Sequence, residues 1–457
     1  MTQRNRPRLS RRMSIVASIA GVAVVAAACS SSPSTNPSTN TGGSSSTSST
    51  APSAPTPGVT ATSITIGATA PLTGPAAPGY SEIAPAANAV FKFVNAHGGV
   101  FGRTINYLIK NDQYDPTATA TLTRQLVLQD NIFADVGPLG TPTGLAVAPY
   151  LNSAGVPQVF IESGCTCWNQ PTKWPLSFGW QPNYVVEGKI LGKYIAQHFA
   201  GKKIAYLYQD DEFGMDGVKG LDQEIPSASV VARQTYVATS AGLANALAPQ
   251  IAAIKHSGAQ VVVLYTIPAA TALAMLSGAG SGFLPQWVVS SVGSDPPTLT
   301  GLLGSFSKGK AGAALLTGMI TNAYLPPLTD STNPWVVDAK AILGKYDPGY
   351  HWDGNSEYGV MLGINFIDLL MANGKTLTRA SLVHTLETQG ASLPTAGLSP
   401  LTYSATDHNG YSGSEIVQFG TGGTTINAVT PVEVATDTGP ITNFTGTPAT
   451  PPAWVKS

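Results

Sequence analysis

The chain predicts an α/β protein of two lobes, each an open, mainly parallel sheet with helices on both faces. Three observations predict it. From residue 63 onward, short apolar runs alternate with helical segments, the pattern of parallel strands joined by helical crossovers. A break rich in Trp, Pro and Gly at residues 174–183 interrupts the alternation, which then restarts. Roughly 375 to 395 residues are available to it, too many for one ordinary core and enough for two.

The elements follow in order. Residues 64–70 (ITIGATA) read as a buried strand, and residues 71–79 (PLTGPAAPG) as a turn-rich loop before a helix carrying Ala86, Ala89, Val90, Phe93 and Val94 on its apolar positions. Residues 95–102 (NAHGGVFG) stop that helix, and 105–110 start a second strand. A helix over 118–129 and a strand over 133–136 lead to Gly137-Pro138-Leu139-Gly140-Thr141, then to a helix over 144–153 and a strand over 156–161. Beyond the break, helices are expected over 187–199, 214–224, 243–256 and 269–279, and strands over 203–208, 230–237, 261–265 and 286–290. In open parallel sheets the ligand crevice lies beyond the carboxyl ends of the strands. Two such edges facing each other form a cleft that closes about a hinge.

The start of the chain is of another kind. Arginines 4, 6, 8, 11 and 12 precede an apolar run at 15–28, and Ala26, Ala27 and Ala28 stand before Cys29, so residues 1–28 are expected to be a secretory signal peptide. The run is too short for a membrane span, which needs about 20 apolar residues. A cysteine at the first mature position resembles a bacterial lipobox, in which the thiol receives a diacylglyceryl group, although Ala26 stands where Leu is usual. Plain secretion is the alternative. Arg11-Arg12 also leaves the export route open between the general and twin-arginine pathways. Residues 30–62 are Ser, Thr, Pro, Gly, Ala and Asn with hardly an apolar residue and no charge, a composition that cannot bury a core, so 29–61 are expected to be a disordered tether.

Loss of residues 1–28, with five arginines and no acid, takes the formal charge from -1 to -6, with 19 basic against 25 acidic residues. Scattered charges of this balance provide no phosphate-binding stripe, so nucleic acid is not an expected partner. With Cys29 assigned to lipid, Cys165 and Cys167 remain, either as an unusual, strained disulfide or as two free thiols, and so close a spacing disfavours the disulfide. No zinc-type Cys/His spacing is present, so neither a metal nor a cofactor is expected. An enzyme is not expected either. No Gly-x-Ser-x-Gly elbow or His-Glu-x-x-His occurs, Gly278-x-Gly280-x-Gly282 ends a helix rather than opening one, and Cys165 has no histidine nearby in sequence.

Residues 64–75 (ITIGATAPLTGP), Asn95-x-x-Gly98-Gly99-x-x-Gly102, Asn111-Asp112 with Asp115-Pro116, Val136-Gly137-Pro138 and Ala154-Gly155-Val156-Pro157 stand in a familiar order. So do Lys202-Lys203-Ile204-Ala205, Asp210-x-x-Phe213-Gly214, Pro400-Leu401-Thr402 and His408-Asn409-Gly410. Together they resemble the branched-chain amino acid binding protein family, the type I periplasmic solute-binding components of ABC transporters, over residues 63–435. The resemblance implies the two-lobed periplasmic binding protein type I fold, with three chain crossings. Lobe 1 would hold 62–183 and 319–399, lobe 2 would hold 184–318 and 400–437, and 438–457 would be a tail. A strand over 315–321 and a helix over 360–371 would complete lobe 1. The resemblance further implies a monomer outside the cytoplasm, lipid-anchored to the outer face of the cytoplasmic membrane, with permease and ATPase subunits as partners. A ligand-sensing surface receptor would share every residue.

The family's ligand-binding positions fall here on Gly140 and Thr141 for a carboxylate, at an exposed helix N-terminus that favours an anion. They fall on Ser163, Gly164 and Cys165 for carboxylate and ammonium groups, on Tyr80 and Phe213 as cleft aromatics, and on the strand end from Tyr265 to Ile267. A plain turn, a helix cap or a packed tyrosine is the competing account at each. Asp210 or Asp211 reads better as a cap than as a ligand. Leucine-binding relatives place a glutamate after the strand at 286–290, whereas this chain has Ser291-Val292-Gly293-Ser294 with Asp295 the only acid nearby. A buried ammonium without a carboxylate costs several kcal/mol, so either Asp295 substitutes or the ligand is not an α-amino acid. Trp168, after the two cysteines, would add an aromatic wall.

Overall fold

Chain order from Pro55 onward first builds a five-stranded parallel sheet. The computed structural model describes residues 55–423 and 425–456; the signal segment, Cys29 and most of the expected tether lie outside the described residues. β1 (Ser63–Ala70), β2 (Thr104–Asn111), β3 (Asp135–Val136), β4 (Gln158–Ile161) and β5 (Ser177–Gly179) take the order β2-β1-β3-β4-β5. Between them run a short turn α1 (Ala77–Tyr80), then α2 (Ile83–Ala96), α3 (Pro116–Leu128) and α4 (Thr141–Ser153). Helix starts follow local chemistry: Asp115 accepts from Thr117 N and Ala118 N with Pro116 in the first turn of α3, satisfying amides the helix leaves open. Ile64, Ile66, Ala68 and Ala70 alternate inward along β1 and are buried.

A second sheet of nine strands comes next. It is entered through α5 (Tyr184–His198), β6 (Ile204–Gln209), α6 (Glu212–Glu224), β7 (Val230–Tyr236), α7 (Ser240–Leu243), α8 (Ala248–His256), β8 (Val261–Tyr265), α9 (Pro268–Gly280), β9 (Gln286–Val289), α10 (Pro296–Phe306) and β10 (Ile320–Ala323). Then α11 (Pro334–Tyr346), α12 (Gly354–Asn373) and α13 (Arg379–Gln389) return to the first sheet, where α12 packs on α2. β11 (Gly413–Phe419), β12 (Ile426–Ala428), β13 (Glu433–Val434) and β14 (Thr442–Asn443) close the second sheet in the order β14-β13-β11-β10-β9-β8-β6-β7, with β12 beside β11. β10 to β7 are parallel and β11 turns antiparallel. The α2–α12 contact depends on Gly359, where a Cβ would lie 2.2 Å from the Ile83 carbonyl oxygen. Among the described residues no helix is long and apolar enough to cross a membrane.

Several expectations need correction. Order begins before residue 62: Thr65 N donates to Gly58 O at 2.7 Å and Thr56 Oγ1 to Leu377 O at 3.1 Å, so the docked chain claims the last residues of the supposed tether. The helix expected over 243–256 is two, because Ala246 and Leu247 take positive φ of 54° and 57° and Pro249 reopens the helix in its first turn. The break at 174–183 contains β5. The strand expected over 315–321 to complete lobe 1 is instead β10, paired with β9 in the second sheet. Residues 324–333 therefore carry the passage back. The C-terminal residues beyond 438 are docked: β14 pairs with β13, Trp335 Nε1 donates to Ala449 O at 2.8 Å and Trp454 Nε1 to Asp368 Oδ1 at 2.7 Å.

Candidate ligand-binding cleft

Each sheet reverses its strand order once, between β1 and β3 and between β6 and β8, and the loops at those carboxyl ends face one another across a cavity of about 210 Å³. One wall is Tyr80, Tyr114, Leu139, Gly140, Thr141, Glu162 and Gln181; the other is Phe213, Ile267, Ser291, Val292 and Asn322, with Tyr324, Asn355, Glu357 and Tyr358 closing an end.

α4 brings its N-terminus to this wall. Gly140 is its N-cap and makes no side-chain cap, and Pro142 stands in the first turn, so the amides of Thr141 and Thr143 lack intrahelical acceptors. Gly140 has φ +108°, and a Cβ there would meet Thr143 Oγ1 and Tyr114 Cε2 at 2.5 Å. Thr141 is buried, with its hydroxyl 2.7 Å from Ser163 Oγ.

The two walls are hydrogen-bonded to each other. Tyr80 OH donates to Val292 O at 2.7 Å, Gln209 Nε2 to Tyr114 OH at 3.3 Å, and Thr166 N to Asp216 Oδ2 at 2.8 Å. Val292 is held in turn by its neighbour: Ser291 N and Oγ donate to Glu187 at 2.7 and 3.1 Å. Burial raises the Glu187 carboxyl to about 7 against these two bonds.

Of the expected site residues, Tyr80, Gly140, Thr141, Phe213 and Ile267 line the cavity. Ser163, Gly164, Cys165 and Tyr265 do not. Ser163 lies one layer back, bonded to Thr141; Gly164 is pressed against the Pro182 carbonyl; Tyr265 packs behind Phe213 with ring centroids 5.8 Å apart. Cys165 and Cys167 are joined in a disulfide with Cα atoms 5.1 Å apart, where the spacing had disfavoured one, so Cys165 presents no free thiol. Trp168 is buried against Gly144 in the core rather than forming a cleft wall.

Asp295 does not stand free for an ammonium. Its oxygens accept Thr298 N at 2.9 Å and Gly354 N at 2.8 Å, joining the starts of α10 and α12. Asp211 caps α6 by accepting Phe213 N at 3.1 Å, the role expected of an aspartate there. The buried carboxyls sequence reasoning missed are Glu162 and Glu357, both on the cavity wall and both held well above the usual carboxylate range by desolvation; partly exposed Glu415, also missed, lines it too. The Asp353 capping box announces the turn that carries Glu357, but nothing in the sequence points that residue at the cleft.

Residues 63–424 match the family model described as periplasmic binding protein. No curated protein matches. Among solved structures, a possible leucine/isoleucine/valine-binding protein from Rhodopirellula baltica SH 1 is similar at 21% identity and TM-score 0.67, over 83% of this chain and 98% of its own. A fatty acid ABC transporter substrate-binding protein from Thermomonospora curvata is similar at 19% identity and TM-score 0.69, over 88% and 95%. A branched chain amino acid ABC transporter structure from Thermus thermophilus with bound valine is similar at 17% identity and TM-score 0.68, over 82% and 97%. At these identities the likeness carries the fold.

Proposed function

Because this chain belongs to the periplasmic binding protein family, we propose that it is the extracytoplasmic solute-binding lipoprotein of an ABC importer. It takes a small polar ligand of the amino acid, amide or carboxylate class into the cleft between two hinged lobes. The carrying observation is the cavity between the two carboxyl edges, whose walls are tied across by Tyr80 to Val292. Such bonds exist only when the walls meet, so a ligand that bridges them shifts the population toward the closed form. On this reading the ligand's acceptor group meets the α4 amides beside Thr141, and the lobes part at residues 180–183, 324–333 and 400–412. Cys29 carries the lipid, and permease and ATPase subunits receive the cargo.

A thermal-shift panel on the full-length protein tests this, with amino acids, amides, short carboxylates and aromatic acids. A ligand at a hundredfold excess over Kd adds about 2.7 kcal/mol. Thr141→Ala is expected to weaken the best ligand about tenfold while leaving the unliganded melting temperature within a few degrees, since one buried hydroxyl bond is worth about 1 kcal/mol. A panel in which nothing stabilises the protein removes the reading. The anchor is tested separately: Cys29→Ala is expected to move the protein from the membrane to the soluble extracytoplasmic fraction, and a variant that stays on the membrane rejects the lipid.

A further inference from the structure

Among the residues lining the cavity there is no lysine, arginine or histidine, yet Glu162, Asp295, Glu357 and Glu415 all reach it. Asp295 has other work and Glu415 is partly exposed, which leaves Glu162 and Glu357 as the buried acids. Asp295 is occupied by two backbone amides, and neighbouring Asp353 accepts Asn355 N at 3.0 Å and Ser356 N at 2.8 Å. Glu357, one turn into α12, is 2% exposed, and its Oε1 is buried without a hydrogen-bond partner. A buried unpaired carboxyl is costly, and no salt bridge to it is present among the described residues.

We propose that Glu357 is the counter-charge for an ammonium group on the ligand, so that the cleft takes small organic ammonium ions in preference to neutral or acidic solutes of the same shape. This rests on the solute-binding reading of the cleft and narrows it. Tyr80, Tyr114, Tyr184, Tyr324 and Tyr358 line the same space, and a desolvated cation is attracted to an aromatic face by the ring quadrupole. A metal ion fits less well: among the described residues no group of three or more His, Cys, Asp or Glu side chains is arranged to hold one. The groups around Glu357 are Asp295 from α10, Asp353 on its own helix and Lys340 from α11, with Glu82 beside Asp353. Burial, with the neighbouring acids Asp295 and Asp353, raises the Glu357 carboxyl well above the usual carboxylate range, with Lys340 opposing them. A cation beside it favours the ionised carboxylate and so promotes loss of its proton.

The experiment titrates the full-length protein with butylammonium and benzylammonium, with the matching alcohols, and with butyrate and benzoate, at neutral pH in two buffers of different ionisation enthalpy. The expected result is saturable binding of the ammonium ions, at least tenfold tighter than their alcohols, with proton release on binding. Glu357→Gln is expected to weaken the amines tenfold or more and to abolish the proton release, with an unliganded melting temperature equal to or above that of the parent. An alcohol or carboxylate that binds as tightly as its amine overturns the proposal while leaving solute binding intact, and so does a folded Glu357→Gln variant with unchanged amine affinity. If Glu357→Gln does not fold, the absence of proton release by the parent protein overturns it. If neither these probes nor any compound of the wider panel binds, the solute-binding reading falls, and this inference with it.

Discussion

The melting temperature of the protein is expected to fall by roughly 5–10 °C between pH 5 and pH 8. The cause lies in buried carboxyls with few counter-charges. Desolvation raises Asp135 from 3.8 to about 8, against one bond from Gln158 Nε2 at 3.3 Å, and raises Glu187 from 4.5 to about 7. In the unfolded chain both lose their protons near pH 4 to 4.5, the ordinary values. Between there and their folded values the native state holds more protons, so each pH unit crossed removes about 1.4 kcal/mol per group from stability. Stability is full below the unfolded values, declines through the window and levels off above pH 8 for Asp135. Asp135→Asn keeps the contact to Gln158 and removes the titration, so it is expected to flatten the slope and raise the melting temperature at pH 8. A melting temperature that is level or rising from pH 5 to 8 refutes the account.

Gly140→Ala is expected to lower ligand affinity a hundredfold or more. At φ +108° an alanine is strained, and its methyl would sit 2.5 Å from the Tyr114 ring and Thr143 Oγ1. Relief requires the start of α4 to move, and that start is the cavity wall. The first sheet does not depend on the side chain of residue 140, so circular dichroism and cooperative melting should persist while titration with the best panel ligand loses its signal. Parent-like affinity would mean that the ligand does not touch the α4 terminus.

The alternation of strands and helices is legible because most strands are short apolar runs and several helices open on a recognisable cap, as at Asp115, Asn183 and Asp211. Sheet membership is less so. β10 is four residues long, and nothing in Ile320–Ala323 says which strand it will join. β5 is three residues inside a Trp, Pro and Gly context, below the length at which alternation can be counted. At the cleft, the loop after β3 is legible, whereas the loop after β4 reads one residue out of phase. Phe160 takes φ +57° and the β4–β5 register shifts between Gln158 and Ile161. Such an irregularity reverses the facing of the residues beyond it. Glu162 reaches the cavity, and Ser163 and the cysteines fall behind it. Glu357 escapes for a different reason: about one turn beyond its cap, it stands in a helix that also holds Asn365 and Asp368, and nothing in the sequence sets it apart from the chain's other acids.

Thr56 is fastened to Leu377, between α12 and α13, and Trp454 to Asp368 on α12. Both ends of the described chain thus leave from the same helical layer of the first sheet, and the second sheet hangs from internal segments alone. A force applied between the ends would load that one layer in shear and leave the second sheet slack. For the same reason a dye or fusion partner at either end would ride on one body, and reporting the swing of the other needs a second label inside the chain, as on exposed Met215.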